Sequence, residues 1–162
     1  MSVEDWICHN NILLEESEYG VKFSRKPEDQ SFNYFCSLYT QPLTEPCLFK
    51  VHVEAVYQSD RYVDFGIITK SKYDSTKGTL TNSFSSGAIS YCGYSHSGGL
   101  TGNYPSTSAS SDQGLKPGSH FYMRYEPGVV IKFYDDDNTI SLKLDMTGKT
   151  DEYYLTCTVY HP

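Results

Sequence analysis

Apolar and polar residues alternate with a period of two through much of this chain. Residues 48–57 show it most clearly, with Phe49, Val51, Val53 and Ala55 on one face and Lys50, His52 and Glu54 on the other, the pattern of a half-buried strand. A polar turn at 58–61 leads into a second run at 62–69, and the two runs are predicted to pair as a hairpin. Further on, residues 121–125 interleave aromatic residues with Met123 and Arg124. A tight Glu126-Pro127-Gly128 turn follows, residues 129–134 return, and Asp135 to Asn138 stop the run. Ile140, Leu142 and Leu144 then alternate with Ser141, Lys143 and Asp145. These three consecutive strands, with no helix between them, predict an antiparallel sheet.

The rest of the chain reads the same way. Strands are expected at 12–14 and 20–24 around an acidic turn at 15–18, then at 34–39, 88–94 and 153–160. Residues 25–30 form a polar loop, since Pro27 lacks a donor and keeps Lys26 out of the helical region. Residues 70–87 are polar and small. A sustained helical period is absent, apart from a short turn expected around 5–10. Nine or more short strands separated by turn signals predict an all-β, two-layer antiparallel β-sandwich. The chain reads as a single domain over 1–162, with 1–10 a short N-terminal extension and 95–119 a long Ser/Gly-rich loop. A loop of that length is rarely a passive connection.

Composition agrees with a globular domain. The 162 residues are 38% hydrophobic and hold 12 glycines, enough for one core. The 15 tyrosines and eight phenylalanines against one tryptophan are a β-rich aromatic usage. A formal charge of −7, with no basic stripe visible along the sequence, disfavours nucleic acid. Residues 1–10 lack a basic and apolar leader, and no apolar run approaches the roughly 18 residues a bilayer requires, so no membrane association is expected. Five scattered cysteines with no Cys-x-x-Cys suggest reduced thiols in a cytoplasmic protein.

Local signatures of chemistry are scarce. Cys92 and His96, like Cys157 and His161, stand four residues apart. On a strand that spacing covers about 13 Å, too far for two ligands of one zinc ion. The acidic run 135–138 has the charge of a calcium loop but lacks the required Gly and Glu, which are replaced by Ile140 and Met146. It reads as a solvated turn. No Gly-x-Ser-x-Gly elbow, phosphate loop or isolated carboxylate pair is present. Neither a catalytic centre nor a cofactor is expected.

Tyr125-Glu126-Pro127-Gly128-Val129-Val130-Ile131-Lys132-Phe133-Tyr134 and the polar turn after it resemble the Leu-Asp-Tyr-Glu signature of SPRY domains, particularly the PRY-SPRY type. Leu48 to Glu54, Phe65-Gly66-Ile67-Ile68 and the closing run at 153–160 fall in the family's order. Phe49 and Phe65 stand where the family usually carries tryptophan, and the resemblance covers roughly 10–162. It implies a monomeric protein-interaction module that binds a short peptide or a folded partner through loops at one end. Such modules also serve as the substrate-recruiting part of larger proteins such as ubiquitin ligases. By motif order it nominates Arg25, Pro27, Tyr73, Tyr160 and His161 as partner-binding residues, with Tyr94 and Tyr104 beside the long loop extending the surface. Arg25 and Tyr73 are then expected to line one concavity, where a guanidinium could grip a carboxylate.

The same loop supports a different reading, a lectin-like sandwich that stacks a sugar on Tyr94 or Tyr104 and bonds its hydroxyls with Asn103, Asp112 and Gln113. A purely structural assembly subunit would instead present a broad apolar patch.

Overall fold

The computed structural model describes residues 1–28, 34–54, 62–76, 79–80, 88–94, 98–101, 118–138 and 141–160. A 3₁₀ turn, Val3–Asp5, precedes strands β1 (Trp6–Cys8), β2 (Ile12–Ser17), β3 (Gly20–Arg25), β4 (Tyr34–Pro42), β5 (Cys47–His52) and β6 (Tyr62–Thr69). Helix α1 (Lys70–Thr76) follows, then β7 (Thr79–Leu80), β8 (Ala88–Tyr94), β9 (Gly98–Thr101), β10 (His120–Glu126), β11 (Val130–Tyr134), β12 (Ser141–Asp145) and β13 (Tyr153–Tyr160).

The fold is all-β and sandwich-like. One sheet has the order β1-β4-β13-β6-β8-β9, with β7 also on β4; the second has the order β12-β11-β10-β5; β2 and β3 form a separate hairpin. Every described pairing is antiparallel. Between the two large sheets, Phe65, Ile67, Ile89, Leu155 and Cys157 meet Phe121, Met123, Ile131, Phe133 and Leu142 in one cluster. Burying each such side chain fully contributes about 1.5–3 kcal/mol. Phe49 from β5 and Phe65 from β6 meet across the layers, ring centroids 6.2 Å apart. The β2–β3 hairpin adds Leu14, Val21 and Phe23 to the same core.

The β10-β11-β12 meander forms as the alternation predicts, with Tyr125 opposite Ile131 and Phe133 opposite Leu142. Other expectations require correction. The runs beginning at 48 and 62 do not form a hairpin: β5 pairs with β10 in the smaller sheet, whereas β6 lies between β13 and β8 in the larger. Burial explains the separation. β6 is buried on both faces from Asp64 to Ile68, whereas β5 leaves Leu48 and Lys50 exposed, so the first needs two strand neighbours and covered faces while the second is an edge strand. The acidic turn is shorter than expected, because β2 continues through Ser17 and Gly20, at φ +113°, supplies the reversal. Residues 70–76, read as polar chain, form α1. The long loop contains β9, paired with β8. Nor is the N-terminus an appendage: the expected turn at 5–10 is largely β1, and Trp6 is buried against Phe23 (centroids 4.7 Å) and Tyr39 (5.4 Å). No described helix is long and apolar enough to cross a membrane.

The larger sheet is also covered on its outer side. Tyr73 of α1 joins Cys36, Leu38, Ile68, Ala88 and Tyr154 in a second buried cluster. These residues alternate along their strands with the residues that face the first core, so the two clusters lie on opposite faces of one sheet.

Candidate functional site

One end of the larger sheet gathers unusual side chains. β3 ends at Arg25, opposite Ile12, and the chain is held there by the Ile12 amide donating to the His9 carbonyl (2.9 Å) and the Lys26 amide donating to the Asn11 carbonyl (3.0 Å). This places two groups on Phe35, near the start of β4. His9 stacks on the ring at 4.0 Å between centroids with an interplanar angle of 17°, and the Arg25 guanidinium carbon lies over it at 4.3 Å. Arg25 also donates from Nη1 to the Val159 carbonyl at 3.5 Å and is only 5% exposed. A guanidinium suits such burial because it is weakly hydrated and stacks on aromatic faces. Burial, and after it the charge of Arg25, lower the His9 pKa. The Asn11 amide donates to His9 Nδ1 at 3.2 Å, which requires that nitrogen to be unprotonated.

At the same end the registers align four tyrosines. Tyr34 of β4 pairs with Tyr160 of β13, and Tyr62 of β6 pairs with Tyr94 of β8. Val159 pairs with Val63, so Tyr160 and Tyr62 are the next positions outward on neighbouring strands. The row spans four adjacent strands, about 14 Å at the usual strand spacing. Two residues inward on the same face parity lie Cys36, Thr158, Asp64 and Cys92. Asp64 is 1% exposed and accepts from the Ser90 hydroxyl at 3.4 Å. Thr158, opposite Asp64, is equally buried, and its hydroxyl has no partner among the described residues. A buried carboxylate between hydroxyl-bearing neighbours favours a donor or a cation as a partner. Among the described residues, no group of three or more His, Cys, Asp or Glu is placed to hold a metal ion.

The residues nominated from the sequence divide. Arg25, Tyr94 and Tyr160 all belong to this end, but Arg25 packs on the Phe35 face of the sheet whereas Tyr94 and Tyr160 fall on the opposite face, with Cys36; Pro27 follows two residues after Arg25 and is exposed. Tyr73 does not join them: it is buried in the outer cluster, and its hydroxyl donates to the Ile7 carbonyl at 3.3 Å. Arg25 packs on Phe35 whereas Tyr73 packs with Cys36 and Leu38, so they lie against opposite faces of β4 and share no concavity. Tyr104, His161, Asn103, Asp112 and Gln113 lie outside the described residues. Sequence reasoning missed His9, Phe35, Asp64 and Thr158. Asp64 carried a usable signal, a charge inside the otherwise apolar run Val63-Asp64-Phe65-Gly66-Ile67-Ile68; a lone histidine in a polar turn carried none.

Compared with known proteins, the chain matches no family model, and no curated protein matches it.

Proposed function

We propose that this chain is a SPRY-type protein-interaction module that takes a short peptide or the surface of a folded partner at the end of the larger sheet marked by Tyr34, Tyr62, Tyr94 and Tyr160. It would serve as the recruiting part of a larger protein, such as a ubiquitin ligase, in the cytoplasm. The observation that carries this reading is the shared register of the four tyrosines, at one end and on one face of four adjacent strands. Tyrosine offers broad contact area at a small entropic cost, which is why it is enriched where proteins meet.

The state of three thiols gives no support to a cysteine nucleophile at those positions. Burial pushes Cys36 and Cys157 up to about 12 and Cys47 up to about 11, so they stay protonated and are poor nucleophiles at neutral pH.

The test is selection of displayed random peptides on the purified chain, followed by affinity measurements on Tyr94→Ala and Tyr160→Ala. The expected outcome is a recurring motif whose affinity drops about tenfold or more in each variant, at the hot-spot scale of roughly 1.4 kcal/mol, with the melting temperature unchanged. Failure to select any peptide while immobilised glycans are bound would favour the lectin-like reading instead.

A further inference from the structure

On the solvent side of the smaller sheet, the registers set three cations in one row. Lys143 of β12 pairs with Lys132 of β11, which pairs with Arg124 of β10. They are eight and eleven residues apart in the sequence, which is why no basic stripe is visible there. Like charges directly opposite on adjacent strands destabilise a sheet, and this chain has acidic residues to spare. The acids on the same face are already engaged. Glu126 pairs with Arg124. Asp136 holds His120 and accepts a hydrogen bond from Tyr122. Asp145 accepts from the Thr147 amide at 2.8 Å, with Lys143 among the causes that lower its pKa. Neither Lys132 nor Lys143 has an ion pair among the described residues. The row continues onto edge strand β5 at Leu48, opposite Arg124 and 57% exposed.

We propose that this face docks an acidic polypeptide segment laid across the strands, its carboxylates bridging Lys132 and Lys143 beside the Arg124–Glu126 pair and an apolar side chain covering Leu48. This surface is separate from the tyrosine-marked end. The neighbouring row argues against a nucleic-acid occupant. Tyr122 and Tyr134 are stacked on each other, centroids 5.3 Å apart at 22°, and Lys50 Nζ sits 5.9 Å from the Tyr122 centroid, so no base can enter between the rings and one outer ring face is already taken by a cation. Stacking platforms for single strands present open aromatic faces. The overall charge of −7 further repels a phosphate backbone, while a few carboxylates can be met locally by the lysine pair.

A fluorescein-labelled ten-residue peptide of alternating Glu and Ser ending in Leu provides the probe, with binding followed by anisotropy. Saturable binding is expected, with amide shifts at Arg124, Lys132 and Lys143 on titration. The double variant Lys132→Glu/Lys143→Glu should weaken it at least tenfold, while Lys22→Glu/Lys70→Glu, the same charge change placed elsewhere, stays within twofold. The proposal is overturned by absence of saturation at millimolar peptide, or by equal loss in both double variants. It is equally overturned if a ten-nucleotide oligothymidylate binds more tightly than the peptide at the same lysines, or if sedimentation shows self-association that the first double variant abolishes.

Discussion

At Arg25 the pattern of polar and apolar residues gives the wrong impression, because a charge beside a proline in a polar loop reads as solvated. The structure buries it on Phe35, where a desolvated cation–π contact contributes about 2 kcal/mol. Its presence bears on His9, which stacks on the same ring. Below the ordinary value of 6.5, the unfolded His9 takes up a proton that the folded protein resists, because burial and then the Arg25 charge lower its folded pKa. Above that value the ring is neutral in both states and contributes nothing to pH dependence, so stability is lost as pH falls through 6.5 towards the folded pKa. Asp136 and Asp145, both shifted downward from 3.8, act in a separate window: their contribution is present above that value and lost as pH falls towards their folded pKa values. The urea midpoint is therefore expected to fall between pH 7 and pH 5.5, and His9→Phe should flatten that part of the profile while leaving the more acidic part unchanged. An unaltered slope in the variant would remove His9 from this role.

Among elements, what could be read depended on how many faces a strand leaves in water. β10, β11 and β12 alternate cleanly because one face is solvated, and three consecutive antiparallel strands were legible there; the registers came from the structure. β5 alternates too, but alternation specifies a face and not a partner, which is why its pairing with β10 and not β6 had to come from the structure. Helix α1 buries a single side chain, Tyr73, and one apolar residue in two turns carries no period. β9 opens with two glycines and is recognisable only through its ladder with β8. In β6 the informative residue was Gly66, opposite Ser90 and Thr156. A methyl group there would overlap the Ile89 carbonyl oxygen and come within 2.6 Å of Ser90 Cβ, and backbone cannot yield as a flexible side chain can. Gly66→Ala should therefore cost roughly 4 kcal/mol or more, in the class of strained core substitutions, read as loss of the folded baseline in thermal unfolding. Gly128→Ala, at a turn with φ +67° and open space around it, serves as the milder comparison at about 1 kcal/mol.

For the molecule as a whole, the larger sheet is a middle layer, with the first core inside it and the Tyr73 cluster outside. Antiparallel sheets commonly leave one face in water, where polar residues such as Asp64, Ser90, Thr156 and Thr158 would ordinarily sit. Instead all four are buried, partly through local hydrogen bonds such as that from the Thr156 hydroxyl to the Ser37 carbonyl at 2.7 Å. The same burial hid the site, since the residues near the tyrosine row come from four strands far apart in sequence and only the registers bring them together. The two layers are separable by experiment because each holds a cysteine: Cys36 lies outside with Tyr73 and Cys157 lies inside with Phe65. Tyr73→Ala removes the ring that seals the outer layer, at a cost of about 3 kcal/mol. Opening confined to that layer would let iodoacetamide reach Cys36 at least tenfold faster than in the native protein, with Cys157 still protected, as mass spectrometry of the peptides would report. Equal acceleration at both thiols would mean that α1 and the sandwich unfold as one unit.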